Sequence, residues 1–310
     1  MSGGVTSLAQ TGAVRHDPRR GAILMLISCA LFVVMGALVK ALSERLPWPE
    51  IMFFRCVTGI PLILALSMRR GRPNLLTRRF RQHLGRACTG LMAMSCSFFA
   101  LTVLPLAEQT ALSYTTPVFV TILAIPFLGE RPGPARWVAV GAGFCGIMII
   151  ALGQGAFLGG EARDALYLLG FIAAVSQGVF AAVTTMLVRS LSATEASATI
   201  VLWQSLLMSA LTAIALPFVW VAPQPSDVLL LIGLGVFGGM GQWLLTEAWA
   251  SAQVSAVAPF SYTALLWAAL AGWLVWGEMP GLWTWVGAAL IVVAGLAMLR
   301  VEMRGSRRTT

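Results

Sequence analysis

The tripeptide Ser113-Tyr114-Thr115 returns as Ser261-Tyr262-Thr263, a shift of 148 positions. At that same shift Gly129-Glu130 falls on Gly277-Glu278, Pro132 on Pro280, and Trp137-Val138 on Trp285-Val286. A shift of 149 sets Val39-Lys40 on Val188-Arg189 and Phe54-Arg55 on Trp203-Gln204. One shared tripeptide carries little weight. Several gap-free matches at nearly one offset mark a chain built from two copies of one unit.

The composition says where such a unit lives. Of 310 residues, 58% are hydrophobic and 11% charged, whereas soluble chains carry about 25% charge. The mean hydropathy is +0.84. There are too few charges to cover soluble domains, so the chain reads as an all-α polytopic membrane protein. Spans of about 20 apolar residues, enough for a bilayer core of about 30 Å, fall at 21–42, 48–68, 86–104, 106–127, 135–152, 165–188, 197–220, 227–248, 254–276 and 283–300. That predicts ten transmembrane helices, five in each copy. Five is odd, so the second copy enters from the opposite side and the two form inverted five-helix repeats. The predicted organisation is a basic tail at 1–20, a first repeat at 21–152, an external linker at 153–164, a second repeat at 165–300 and a basic tail at 301–310.

Charge fixes the orientation. With the N-terminus inside, the cytoplasmic segments hold 17 of the 21 basic residues and the external loops two, Arg45 and Arg163. Cationic loops stay cytoplasmic, so both termini are predicted to be cytoplasmic. The first span runs past 20 residues without a small-residue cleavage site, and reads as a retained helix rather than a removed signal. The net charge of +9 does not imply nucleic acid, because the arginines cluster at Arg15–Arg20, Arg69–Arg86 and Arg300–Arg308 beside apolar runs. The loop Arg69–Arg86 reads as a topology signal that also meets anionic lipid headgroups. Five cysteines in apolar runs, without CxxC spacing, imply neither disulfides nor zinc. Two histidines, His16 and His83, both in basic cytoplasmic segments, argue against metal catalysis, and no cofactor motif stands. Gly233-Leu234-Gly235-Val236-Phe237-Gly238 matches GxGxxG but lies inside an apolar span with no preceding strand. There its glycines serve close helix packing, Gly235 and Gly239 forming GxxxG.

The order and spacing of certain residues resemble a known family. They are Phe53-Phe54-Arg55 in the second span, Leu106-Ala107-Glu108 opening the fourth, and Leu128-Gly129-Glu130-Arg131 after it. Val257-Ala258-Pro259-Phe260-Ser261-Tyr262 and Trp276-Gly277-Glu278-Met279-Pro280 follow around the ninth. Together they resemble the drug/metabolite transporter superfamily, in its EamA-type ten-helix branch, from Gly21 to about Arg300. The resemblance implies a multi-pass protein of the bacterial inner membrane, a small-molecule substrate and alternating access. Its central cavity would be lined by helices 1, 3, 4, 6, 8 and 9. Most such proteins export amino acids or other metabolites, and some import vitamins or nucleoside-like compounds.

Polar residues inside the spans are the candidate substrate contacts. Arg55 lies about 10 Å into the second span at 1.5 Å per residue. A buried arginine faces the bundle interior with a partner: either a substrate carboxylate or phosphate, or a structural acid, Glu108 or Glu50. Ser113, Tyr114 and Pro117, mirrored by Tyr262, occupy matching stretches of spans 4 and 9. Proline frees carbonyls that nearby hydroxyls re-satisfy, at a cavity wall or at a helix–helix contact. Gln177, Gln204 and Gln242 are amides suited to orienting a polar solute. Trp203, Trp243 and Trp267 lie deep enough to stack on a planar ring or to pack the bundle. Glu108 and Glu247, near span ends, are candidates for proton coupling or are simply hydrated. Nothing in the sequence indicates a sodium site, and the oligomeric state, monomer or homodimer, stays open.

Three functions follow. The first is a secondary transporter exporting a small metabolite, an amino acid or related compound. The second is an importer of a planar vitamin or adenosyl compound, riboflavin-like or S-adenosylmethionine-like. The third is a non-transporting membrane scaffold or an intramembrane enzyme. An enzyme would need a nucleophile and base clustered within the spans, and none is visible.

Overall fold

The computed structural model describes residues 18–68, 77–116, 118–120, 122–123, 134–153, 162–192, 194–195, 197–251 and 260–306. The first half holds α1 (Pro18–Leu42), α2 (Trp48–Met68), α3 (Phe80–Val103), α4 (Leu106–Ser113) and α5 (Pro134–Gly153). The second holds α6 (Ala162–Ser192), α7 (Ser197–Ala213), α8 (Pro225–Ser251), α9 (Thr263–Trp276) and α10 (Leu282–Ser306). A single helical turn, Leu216–Val219, follows α7. Among the described residues there is no strand. Five helices are each long and apolar enough to cross a membrane: Arg19–Leu42, Trp48–Met68, Phe80–Val103, Ala165–Val188 and Pro225–Leu245. Their outer faces are greasy. Leu229 is 76% exposed, Met68 57% and Ile23 56%, a surface that only lipid covers without penalty.

Two helix ends depart from uninterrupted spans. The span expected at 106–127 breaks after Ser113, where the Tyr114 N–H bonds Ala111 O three residues back. Pro117 lies outside the described residues, but proline has no N–H, so it cannot satisfy the Ser113 carbonyl. The Thr116 hydroxyl does so instead, donating to Ser113 O at 2.9 Å. Near the start of α9, the Thr263 hydroxyl donates to Phe260 O at 2.6 Å. The third helix begins at Phe80, six residues before the expected start. The extra turns bring His83 onto the helix and set Arg86, expected at its first position, well inside it; both are buried.

Packing partners repeat. α1 lies on α8 as α6 lies on α3, α1 on α9 as α6 on α4, and α2 on α8 as α7 on α3. The pairs α2–α7, α4–α9 and α5–α10 meet directly. Exchanging each helix of one half with its counterpart five helices on maps these pairings onto one another. Two larger apolar cores stand out among the described residues. One gathers Leu104, Leu112, Tyr114, Ile150, Phe171 and Ile291 from α3, α4, α5, α6 and α10. The other gathers Val39, Ile51, Phe98, Leu106, Leu234 and Ala268 from α1, α2, α3, α4, α8 and α9.

Glycines set the closest crossings. At Gly146 an added Cβ would lie 2.6 Å from Ile291 Cγ1 and 2.7 Å from Gly287 O. At Gly287 it would lie 2.5 Å from Ile150 Cγ1 and 2.6 Å from Gly146 O. The backbones of α5 and α10 touch there, in the small-residue manner of membrane helices.

Candidate functional site

Three of the predicted contacts line one cavity. Arg55 on α2, Gln204 on α7 and Gln242 on α8 surround it, with Ser205, Gly59, Gly238 and Gly239. Its volume is about 10 Å³, room for about one water. Arg55 and Gln204 are the positions that the repeat equates, so the duplicated sites meet each other across α2 and α7. Gly238 makes space for the arginine: an added Cβ there would lie 3.2 Å from Arg55 Nε. That Nε is buried and has no hydrogen-bond partner.

Neither acid named as a structural partner for Arg55 pairs with it. Glu50 Oε2 accepts the Val221 N–H at 3.0 Å, tying the end of α2 to the turn after α7. Glu108 accepts hydrogen bonds from the hydroxyls of Tyr167, at 3.0 Å, and Thr284, at 3.4 Å.

Tyr114 and Tyr262, also equated by the repeat, pack edge to face with ring centroids 5.0 Å apart. The Tyr114 hydroxyl donates to Ser261 O and Tyr262 O, both at 3.2 Å. This pair joins α4 to the start of α9, outside the lining of the Arg55 cavity. Ser113 turns back on its own helix, donating to Thr110 O at 2.7 Å. Gln177 accepts from Gln109 Nε2 at 2.9 Å, and the same amide donates to Ser97 Oγ at 2.9 Å. Trp203 stands against Phe80 and His83, with centroids at 5.6 and 5.9 Å. Trp243 and Glu247 are half-buried on α8. Trp267 is 42% exposed on α9, and Pro117 lies outside the described residues.

A second cavity, of about 300 Å³, lies between the start of α4 and the loop from α9 to α10. Glu108 and Glu278 both line it, with Gly272 and Met279. Glu278 Oε1 is paired with Lys40 Nζ at 2.5 Å, and that ammonium sits 5.2 Å from the centre of the Trp276 ring. The sequence reading passed over Lys40 and Glu278. A signal for them was present, because the repeat carries Lys40 onto Arg189 and Glu278 onto Glu130. An opposite-sign pair kept in both copies marks a contact. It also missed Gln109 and Tyr167, whose roles depend on facing helices and leave no local pattern.

The arginine-rich loop is not wholly a lipid contact. Arg86 is 4% exposed and its Nη1 donates weakly to Ile200 O at 3.4 Å. His83 Nε2 meets Glu195 Oε2 at 2.6 Å, and the Thr77 hydroxyl donates to Glu195 Oε1 at 2.5 Å. Burial alone would raise the Glu195 carboxyl. The hydrogen bonds from Thr77 and His83, with nearby His83 and Arg79, outweigh it and hold that carboxyl below its ordinary range.

Comparison with known proteins extends these observations. The model of the EamA-like transporter family matches residues 19–152 and 168–300. The chain is 33% identical to a riboflavin transporter of Vibrio cholerae, covering 96% of this chain and 98% of that one. It is 31% identical to the pseudopaline exporter CntI of Pseudomonas aeruginosa, covering 92% and 97%. An S-adenosylmethionine uptake transporter of Rickettsia bellii is 27% identical, over 91% and 93%. A protein crystal structure at 19% identity aligns with a TM-score of 0.66 over 92% of this chain, a likeness of fold.

Proposed function

Because the chain belongs to the EamA-like transporter family, a multi-pass family of the bacterial inner membrane, we propose that it is a secondary transporter exporting a small metabolite by alternating access. In this reading ten helices cross the membrane as two inverted repeats, 21–152 and 165–300, with both termini cytoplasmic. The observation that carries it is the meeting of Arg55, Gln204 and Gln242 around one cavity, between helices that the repeat exchanges. An internal pseudo-twofold with polar groups on its axis gives two related arrangements of one binding site, which alternating access requires.

Glu108, buried at the second cavity, is the proton-coupling candidate with the better geometry, since a carboxyl beside a cavity exchanges protons with whatever fills it. Import is the second reading, favoured by the relative named as an S-adenosylmethionine uptake transporter; the relative named as a riboflavin transporter adds a planar solute to be tested.

Inverted and right-side-out membrane vesicles, offered pooled amino acids, riboflavin and S-adenosylmethionine, decide between them. Accumulation in inverted vesicles only is the exporter's result. Accumulation in right-side-out vesicles only is the importer's, and none in either overturns transport of these classes. Topology has its own check: Gly71→Cys and Gly159→Cys on a cysteine-free background should label from opposite sides.

A further inference from the structure

The geometry points to the class of solute: Arg55 is the anchor for a single carboxylate, inserted into the cavity between α2, α7 and α8. The inference rests on the transport reading above and deepens it. An arginine inside a membrane span persists where something offsets its charge. Among the described residues no ion pair includes Arg55, and its buried Nε makes no hydrogen bond. The nearest acid along its own helix, Glu50, is turned to the Val221 N–H. Within the cavity lining Arg55 is the one charged residue, and its polar neighbours are Gln204, Gln242 and Ser205. A guanidinium flanked by amides and a hydroxyl is a donor-rich wall, suited to a planar acceptor such as carboxylate.

Size and charge narrow the class. The space, about 10 Å³, holds about one water as it stands, so it is the start of a head-group site, and carboxylate and remainder alike enter only when the helices part. One fixed positive charge balances one negative charge. Phosphate, carrying about −1.5 to −2 at neutral pH, would leave net negative charge in an apolar span. The repeat agrees: the mate of Arg55 is the neutral Gln204, so packing between α2 and α7 does not itself require a cation at this level.

The test uses the full chain in detergent micelles, with sodium formate as the smallest carboxylate. Thermal unfolding is followed against formate, its neutral isostere formamide, sodium chloride and sodium phosphate, at fixed ionic strength. Formate should protect the wild type, and the concentration needed should rise about 10- to 150-fold in Arg55→Gln, the loss of one charge-assisted hydrogen-bonded pair. Arg55→Lys keeps the charge without the planar fork and should fall between. Formamide should protect neither.

Equal protection of wild type and Arg55→Gln overturns the assignment. So does Arg55-dependent protection by chloride or phosphate that matches formate. So does destabilisation by Arg55→Gln that a second change, Glu50→Gln or Glu108→Gln, repairs, since that marks a structural pair. The two readings fail separately. Vesicle transport without Arg55-dependent carboxylate protection overturns the anchor alone, whereas such protection in a protein that moves no solute overturns transport alone.

Discussion

Gly235→Ala tests the packing that brings the Arg55 cavity together. Gly235 sits where α8 crosses α2. A Cβ added there would run into Thr58 Oγ1 and lie 2.7 Å from both Gly59 N and Thr58 C. The hydroxyl can rotate, but the backbone atoms cannot, and non-bonded carbons settle at roughly 3.5–4.0 Å. The helices must therefore part by on the order of 1 Å. Overpacking of this kind costs about 1–3 kcal/mol. Turning Thr58 away also gives up its hydrogen bond to Leu231 O, 3.2 Å long, worth about 1 kcal/mol. Alanine returns up to about 1 kcal/mol through helix propensity, leaving a net loss of about 1–3 kcal/mol.

Gly141→Ala is the control. That glycine is also helical and has nothing within 4 Å of its added Cβ, so it should be neutral or gain up to about 1 kcal/mol. Thermal unfolding in detergent should place Gly235→Ala several degrees below wild type and Gly141→Ala level with it or above. Gly238 and Gly239 are on the same helix, one turn further on, so transport should fall as well. If Gly235→Ala melts with the control, the glycine run is not a close crossing and the α2–α8 geometry is wrong.

Three further outcomes are expected. Tyr114→Phe keeps the ring and removes the donor to Ser261 O and Tyr262 O; it should cost about 0.5–1.5 kcal/mol in unfolding measurements. The Glu195 carboxyl is held below its unfolded value, so its stabilisation is present above the unfolded carboxyl value of about 4.3 and is lost as pH falls through the folded one. Unfolding temperature should consequently drop less steeply with acid in Glu195→Gln than in wild type. Lys40→Met strands the Glu278 carboxylate, whose Oε2 is already buried without a partner; the single should lose about 1 kcal/mol, and Lys40→Met/Glu278→Gln should recover most of it.

The repeat was legible because duplicated residues survive as identities at a fixed offset, and helix existence followed from apolar run length. Which way each residue faces was not. In lipid, both the outer and the inner face of a helix are apolar, so no periodicity separates them. Trp267 and Trp203 look alike in sequence, yet one is 42% exposed and the other packs on His83. Arg86 was counted with the arginine-rich loop because the charges around it hid the first turns of α3; its inward orientation depends on Ile200 across the interface. The break after Ser113 was visible in Pro117, but the hydroxyl that repairs it, on Thr116, is identified only by distance.

The two copies differ where function would require it and agree where the frame would. Lys40 and Glu278 have charged mates of the same sign, Arg189 and Glu130. A charge kept in both copies answers a need that both ends of the molecule share, and Lys40–Glu278 accordingly ties the end of α1 to the end of α9. Arg55 has lost its mate to Gln204. A pseudo-twofold frame would be served equally by glutamine at both positions, each amide meeting the other across α2 and α7. Placing one cation there makes the cavity sided while leaving the backbone symmetric. A sided charge in such a frame would distinguish the ends of a solute held there, and the helices that surround it are among those whose pairings the repeat exchanges.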